Sequence, residues 1–165
     1  MSSTLLLLLY ILLPVLFLPS FAFTPYRSLR YTQVTGQADW YTCGAAAVST
    51  LLTYYDDPAT EQEAQEVAFA ETQASGKDPL EGLTALSLKR ALQSRGYTVK
   101  AYRVDLEQLA DYFRREGLPV VAHVTKPQLH FLVVSGLVPD PCSGRSQVLL
   151  ADPSWGAALF LWKRW

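Results

Sequence analysis

The chain has 165 residues and a formal net charge of −1, and its length is that of one domain with a short appendage. Because 50% of the residues are hydrophobic, with 4 Trp, 9 Tyr and 7 Phe among them, an intrinsically disordered protein is excluded: burial of these side chains offsets the entropy lost on folding. The balanced charge and the lack of a basic run give no indication of a nucleic-acid or anionic-membrane partner.

The N-terminal segment is the most apolar part of the chain. Residues 5–18 form an apolar run that is shorter than the roughly 20 residues of a membrane-spanning helix but typical of a signal-peptide core. Ser20 and Ala22 fit a small-x-small cleavage site, so we expect a signal peptide over residues 1–22, a domain over 23–165, and export to the periplasm or as a secreted protein. The lack of Lys or Arg before the run leaves an uncleaved N-terminal anchor as the alternative. Membrane association is expected only through this segment.

The first half of the domain has the signals of three helices. After a mixed, polar arm over residues 24–39, apolar residues at helical spacing follow Cys43 and end near residues 56–58. Thr60 begins a capping-box pattern for a second helix. A third helix is predicted over residues 83–95, just before a glycine.

The second half has the signals of a sheet. Asp105 caps a fourth helix that ends near Gly117. Short turns between the later apolar runs favour antiparallel pairing, so the fold class is α+β, with N-terminal helices packed on an antiparallel sheet. The strand-like runs are residues 97–104, 120–124, 130–137, 147–151 and 157–162.

Four residues carry a functional hypothesis. Cys43 stands at a helix start, where free backbone N–H groups and the helix dipole stabilise a thiolate and lower the thiol pKa. His130 opens a strand, and its imidazole suits the role of general base for the thiol. Asp152 follows a strand, where a carboxylate can hold the imidazole in one tautomer. Gln37, six residues before the cysteine, is a candidate to stabilise an oxyanion together with the backbone N–H of Cys43.

Each of these residues alone also has an ordinary structural explanation. A lone histidine at a strand end is often structural, an aspartate before proline commonly begins a turn, and a glutamine in a polar arm is commonly solvated. Gly44 leaves room for a substrate backbone beside the sulfur, or is simply a small residue in a tight helix start. The joint order of the residues along the chain favours a Cys–His–Asp site.

Four stretches resemble the C39 peptidases, papain-like cysteine peptidases that cut bacteriocin-type leader peptides after a double glycine. The resemblance covers residues 31–160. It implies a papain-like fold, with Cys43 as nucleophile, His130 as base, Asp152 as orienting residue and Gln37 as oxyanion donor. The stretches that carry it are QADWYTCGAAAV at 37–48, LKRALQSRGY at 88–97, HFLVVSG at 130–136 and ADP at 151–153.

The chain departs from the family pattern at three points. Thr42 stands where the family usually has an aspartate directly before the Cys-Gly pair. The separation of 22 residues between His130 and Asp152 is longer than usual, and the extra length fits the loop over residues 138–146. Family members are often the N-terminal part of an ABC transporter, whereas this sequence has no phosphate-binding loop, so we expect a stand-alone, exported member.

Further aromatic and histidine residues have two interpretations each. Trp40, Tyr41 and Trp155 flank the predicted catalytic residues and are candidates to form the walls of a narrow cleft that binds glycine. Packing against the core is the expected role for at least two of these three. His123 lies in an apolar strand and is interpreted as a core or sheet-face residue. The sequence has no metal-ligand spacing, so neither a metal nor another cofactor is expected.

The two cysteines leave a redox question open. In an oxidising compartment, a pair of cysteines is most simply a disulfide. Cys142 lies in a PDPCSG loop with no helix start or adjacent base, so it lacks the features of a nucleophilic thiol. We expect both thiols to be free, with a reversible disulfide between Cys43 and Cys142 as the alternative.

The leading functional prediction is a cysteine endopeptidase that cleaves after a Gly-Gly leader motif through a thioester acyl-enzyme. Its expected partner is a peptide or protein with such a site, and the oligomeric state stays open. The alternatives are a non-catalytic peptide-binding module in secretion or adhesion, a disulfide-stapled structural domain, and a cysteine acyltransferase, because an acyl-enzyme also reacts with amines.

Overall fold

Helices occupy the first part of the chain in the computed structural model, which describes residues 24–125, 128–139 and 146–161. The predicted N-terminal signal and Cys142 lie outside these residues. The helices are α1 (Tyr26–Arg30), α2 (Cys43–Tyr54), α3 (Glu61–Ala74), α4 (Ala85–Ser94) and α5 (Leu106–Arg114), with a short 3-10 turn at Pro79–Glu81. None of the helices in the described part is long and apolar enough to cross a membrane.

Capping residues determine where three of these helices begin. Thr60, Thr84 and Asp105 each accept a hydrogen bond from a backbone N–H in the first turn, and a side chain of that turn bonds back to the cap. Each reciprocal pair satisfies two donors that a helix end leaves open. The cap at Thr60 confirms the predicted start of the second helix. Helix α1 was not predicted, because five residues are too few to give a periodic pattern.

The sheet is an antiparallel meander. Its strands are β1 (Val120–Val124), β2 (His130–Pro139), β3 (Ser146–Asp152) and β4 (Gly156–Leu161), in the order β1-β2-β3-β4. Every neighbouring pair is antiparallel, which confirms the predicted arrangement. Because β2 begins where β3 ends, the first residue of β2 and the last residue of β3 lie at the same end of the sheet.

The strand predicted over residues 97–104 is wrong. These residues form no ladder with another described strand. Apolar and polar side chains alternate here as in a strand, but only Tyr97 and Val99 pack against the core, whereas Tyr102 is 76% and Val104 50% exposed. A strand without a buried face gains little from pairing, so the segment crosses the surface as an irregular connection.

Helix α2 is the centre of the packing. Residues Gly44 to Thr50 are all buried, and this run of small side chains brings the helix close to the sheet and to α3 and α4. On the sheet side, Val48 and Leu52 belong to one apolar cluster with Val133 and Ala151. This packing fixes the N-terminus of α2 beside the end of the sheet at which β2 begins.

Candidate active site

Cys43 is the first residue of α2, as predicted, and its side chain is half-buried. The preceding residue, Thr42, makes no side-chain cap to the helix. Its Oγ1 instead donates to the Asp39 carbonyl at 3.0 Å and accepts from the Asp39 N–H at 3.1 Å. The first N–H groups of the helix therefore stay open toward the thiol. This turn also explains how the chain accommodates threonine at the position where the family pattern has aspartate.

His130 and Asp152 meet at the shared end of β2 and β3. The Nε2 atom of His130 lies 3.0 Å from Oδ1 of Asp152, and the two side chains are only 15% and 10% exposed. The imidazole also lies beside the Cys43 thiol, and each group shifts the pKa of the other. Since Nε2 is engaged with the carboxylate, Nδ1 is the atom left for the sulfur. The structure thus brings Cys43, His130 and Asp152, the predicted nucleophile, base and orienting residue, together in one line.

The electrostatics of this line favour a charged pair. Burial raises the pKa of Cys43, but the hydrogen bond from His130, the backbone N–H of Phe131 and the imidazolium charge together bring that pKa below the ordinary thiol value. The hydrogen bond to Asp152, followed by that to Cys43, raises the pKa of His130 to about 9. The two shifts both favour a thiolate beside an imidazolium, which is the reactive form of a cysteine nucleophile.

The Asp152 carboxylate is held by the turn that follows it. Burial raises the pKa of Asp152, but hydrogen bonds from His130 and from the Ser154 N–H lower it below its usual value. The Ser154 N–H donates to Oδ1 at 2.8 Å, and this oxygen is the one that faces the imidazole. The carboxylate is thus fixed in its ionised form and in one orientation.

Gln37 is docked on the same turn. Its backbone N–H donates to the Pro153 carbonyl at 3.1 Å, and its Oε1 accepts from the Ser154 hydroxyl at 2.8 Å. Its Nε2 donates to the Asp39 carbonyl at 2.9 Å. The carboxamide is therefore oriented through both ends, and one of its two N–H bonds is used within the loop that precedes Cys43.

The remaining predicted site residues fall into two groups. Gly44 is buried, and a Cβ atom at this position would lie 2.9 Å from Leu88 Cδ1 and 3.3 Å from Phe131 Cδ2, so core packing accounts for the glycine. Trp40 is 72% and Trp155 64% exposed. The expectation that at least two of the three aromatics pack in the core is wrong, because Trp40 precedes the helix and Trp155 lies on a surface turn.

Tyr41, the third of these aromatics, is half-buried. Its ring lies edge-on to Trp40, with centroids 5.6 Å apart, and 6.3 Å from Phe69. Tyr41 therefore lies between the exposed indole of Trp40 and Phe69 of helix α3. The aromatic surface formed by Trp40 and Tyr41 thus packs against this helix.

Sequence reasoning missed several residues that support the site. The backbone N–H of Phe131 lowers the pKa of the Cys43 thiol, a role that no side-chain pattern reveals. Phe131 also stacks on the exposed ring of His123, with centroids 4.3 Å apart. His123 itself was not missed, since the sheet face is one of its two predicted positions. Ser154 follows the Asp-Pro pair, where a turn is common, but its partners come from the N-terminal arm.

Cys43 is a free cysteine, whereas Cys142 and hence the predicted redox relation lie beyond the described part of the chain. Across residues 24–125, 128–139 and 146–161, no three His, Cys, Asp or Glu side chains are grouped to hold a metal ion.

Comparisons with solved structures give the same fold. The peptidase domain of Streptococcus ComA, a bi-functional ABC transporter involved in a quorum-sensing pathway, matches 78% of this chain and 85% of its own at a TM-score of 0.61 and 23% identity. A double glycine motif protease from an AMS/PCAT transporter, solved with its leader peptide, covers 78% of both chains at a TM-score of 0.58 and 23% identity. These similarities establish an α+β fold of the papain-like peptidase type.

Sequence comparisons give the family. A lactococcin transport/processing ATP-binding protein, LcnC-like, of Lactococcus lactis is 29% identical over 121 residues, or 72% of this chain but 15% of the relative. The probable functional amyloid protease FapD of Pseudomonas aeruginosa is 27% identical over 150 residues, or 81% of this chain and 62% of the relative. The chain thus spans only part of the curated relatives it matches. The family model of the C39 peptidases matches residues 31–160, and the chain therefore belongs to the peptidase C39 family.

Proposed function

We propose that this chain is a cysteine endopeptidase that removes leader segments from peptides or proteins by cleaving after a Gly-Gly motif. The observation that carries the proposal is the line in which His130 lies beside the Cys43 thiol and is hydrogen-bonded to Asp152. A buried carboxylate behind an imidazole beside a thiol at a helix start is the arrangement that nucleophilic catalysis requires.

The first half of the reaction forms a thioester. The Cys43 thiolate attacks the carbonyl carbon of the scissile peptide bond, and the carbonyl oxygen becomes an oxyanion. The backbone N–H of Cys43 and the second N–H of the Gln37 carboxamide stabilise this charge. The C–N bond then breaks, and the proton of the His130 imidazolium passes to the leaving amine. Asp152 holds the imidazole so that the proton faces the sulfur and the amine.

The second half releases the acid. Neutral His130 takes a proton from water, and the resulting hydroxide attacks the thioester carbon. The C–S bond breaks, the product leaves as a carboxylic acid, and Cys43 returns as the thiolate beside an imidazolium. The raised pKa of His130, about 9, keeps the imidazole protonated over the neutral range, and the lowered pKa of Cys43 favours the thiolate beside it.

The substrate class is proposed from the site and the relatives together. Glycines beside the scissile bond carry no side chain, which suits a site near exposed indoles, those of Trp40, three residues before Cys43, and Trp155, three residues after Asp152. One similar solved protein is described as a double glycine motif protease in complex with its leader peptide, and a relative as a lactococcin processing protein.

The experiment compares purified full-length chain with its two cysteine variants on a pair of peptides. One peptide contains Gly-Gly at the junction, and its partner has both glycines replaced by valine. Products are identified by mass spectrometry. We expect wild type and Cys142→Ser to cleave only the first peptide, directly after the second glycine, and Cys43→Ala to cleave neither while its urea unfolding midpoint is unchanged.

Two results would contradict the proposal. Cleavage by Cys43→Ala at the wild-type rate would overturn the assignment of the nucleophile. Failure of the wild type to cleave, with peptide still bound, would favour a peptide-binding module instead. Export is a separate part of the proposal: an N-terminus at residue 23 in protein recovered from outside the cytoplasm, found by intact mass, would support cleavage of the signal.

A further inference from the structure

The turn that carries Asp152 is held by a segment from the start of the domain. We call residues 30–37, which follow and include the end of α1, the N-terminal clasp. The hydroxyl of Tyr31 donates to the Ser154 carbonyl at 2.7 Å. At the other end of the clasp, the Gln37 N–H donates to the Pro153 carbonyl at 3.1 Å. The clasp and the turn are more than 110 positions apart in sequence, so only folding brings them together.

Close packing adds to these hydrogen bonds. Gly156, at the end of the turn, has a φ of +77°, and a Cβ atom there would lie 2.6 Å from the Arg30 carbonyl oxygen. The guanidinium of Arg30 lies 5.7 Å from the centre of the Trp155 ring. The glycine is therefore required both for the turn conformation and for the approach of the clasp. Such close contact leaves the turn little freedom to move independently.

A continuous set of contacts leads from the clasp to the reacting atoms. The carbonyl of Ser154 is held by Tyr31, and the N–H of the same residue donates to Asp152 Oδ1 at 2.8 Å. That oxygen is the one that lies 3.0 Å from His130 Nε2. The two peptide groups on either side of the Ser154 Cα atom are thus both fixed, one by the tyrosine and one by the catalytic carboxylate.

We propose that Tyr31 is a positioning residue for the reaction, holding the Ser154 peptide so that the Asp152 carboxylate faces His130; this rests on the proposed function. Tyr31 does not touch the reacting atoms. The Tyr31 side chain is half-buried, but its hydroxyl bond lies at the exposed surface, where water is available as a partner, so the fold alone does not require the hydroxyl to bond to Ser154. When this bond is lost, the turn gains freedom, the carboxylate holds the imidazolium less well, and the thiolate loses part of its stabilisation.

The test compares Tyr31→Phe with Tyr26→Phe in a Cys142→Ser background, in which Cys43 is the only cysteine. Both variants remove one tyrosine hydroxyl and keep the ring. Tyr26 is 74% exposed on the preceding helix, so it is a matched control. The first readout is the pH at which iodoacetamide alkylation of Cys43 reaches half its plateau rate. It needs no substrate, so it still decides the proposal if no cleaved peptide is found.

We expect Tyr31→Phe to move this half-plateau to higher pH and Tyr26→Phe to leave it in place. With a cleaved Gly-Gly peptide, Tyr31→Phe should lower kcat about 3- to 10-fold, the effect of one hydrogen bond of about 1 kcal/mol, with KM changed less than about twofold. Urea unfolding of each variant reports the fold. An unchanged half-plateau in folded Tyr31→Phe, or an equal shift in Tyr26→Phe, would overturn the proposal. Loss of stability without a change in the half-plateau would overturn it as well.

Discussion

The Asp152→Asn variant removes one negative charge beside His130 while the size of the side chain is kept. The hydrogen bond to Asp152 is the largest cause that raises the pKa of His130 from 6.5 to about 9, a change that corresponds to about 3 kcal/mol in favour of the imidazolium. The raised pKa means that the imidazolium is retained as pH rises and is lost near pH 9. In the variant, we expect loss of the imidazolium at lower pH, and a thiol pKa closer to its ordinary value.

If half of that stabilisation is lost, the equilibrium between the thiol–imidazole form and the thiolate–imidazolium form shifts about tenfold toward the uncharged form, because 1.4 kcal/mol is a factor of ten. Alkylation of Cys43 near neutral pH then slows by up to about tenfold. The assay is the rate of iodoacetamide alkylation against pH in the Cys142→Ser background. The control is Asp56→Asn, which makes the same charge change beyond the far end of α2, about 18 Å from Cys43 along a helix of 12 residues. Asparagine tolerates the positive φ of this residue. Identical profiles for Asp152→Asn and the parent would refute the reasoning.

Three predictions concern stability, measured as the free energy of unfolding in urea. Gly44→Ala should lose about 1–3 kcal/mol, since the new Cβ would lie 2.9 Å from Leu88 Cδ1; unchanged stability would contradict the packing role of the glycine. Leu52→Ala, at a side chain only 1% exposed, should lose about 2–5 kcal/mol, whereas Leu86→Ala, 53% exposed, should stay within about 0.5 kcal/mol. Thr84→Ala removes a capping box and should cost about 1 kcal/mol, and an effect below about 0.3 kcal/mol would mean that the cap is not needed.

The meeting of Cys43, His130 and Asp152 could be predicted because each of them stands at the end of an element that local sequence indicates. Cys43 is followed at once by a helical pattern, and Asp152 precedes Pro153 at the end of an apolar run. Residues at element ends are recognisable without knowledge of the tertiary structure, since caps, turns and strand ends have their own residue types. The same applies to the capping boxes, which gave the start of the second helix.

What could not be predicted depends on contacts between distant segments. The clasp bond from Tyr31 to Ser154 joins residues that no local pattern relates. Residues 97–104 alternate as a strand does, but whether a partner and a buried face exist is decided by the whole fold. Similarly, large aromatic residues such as Trp40 and Trp155 commonly pack in a core, but these two lie outside the packed layers and are exposed.

The residues of the site are far apart in sequence, so the reactivity of Cys43 depends on whether the protein has folded. Cys43 comes early in the domain, whereas His130 and Asp152 follow it by 87 and 109 residues. Until β2 and β3 have paired, Cys43 has neither the imidazolium nor the Phe131 N–H that lower its pKa. During synthesis, and in any unfolded intermediate, the cysteine is therefore an ordinary thiol with little reactivity at neutral pH. The sulfur therefore gains its reactivity only when the fold forms, and in the folded protein the half-buried position of Cys43 limits which molecules contact it.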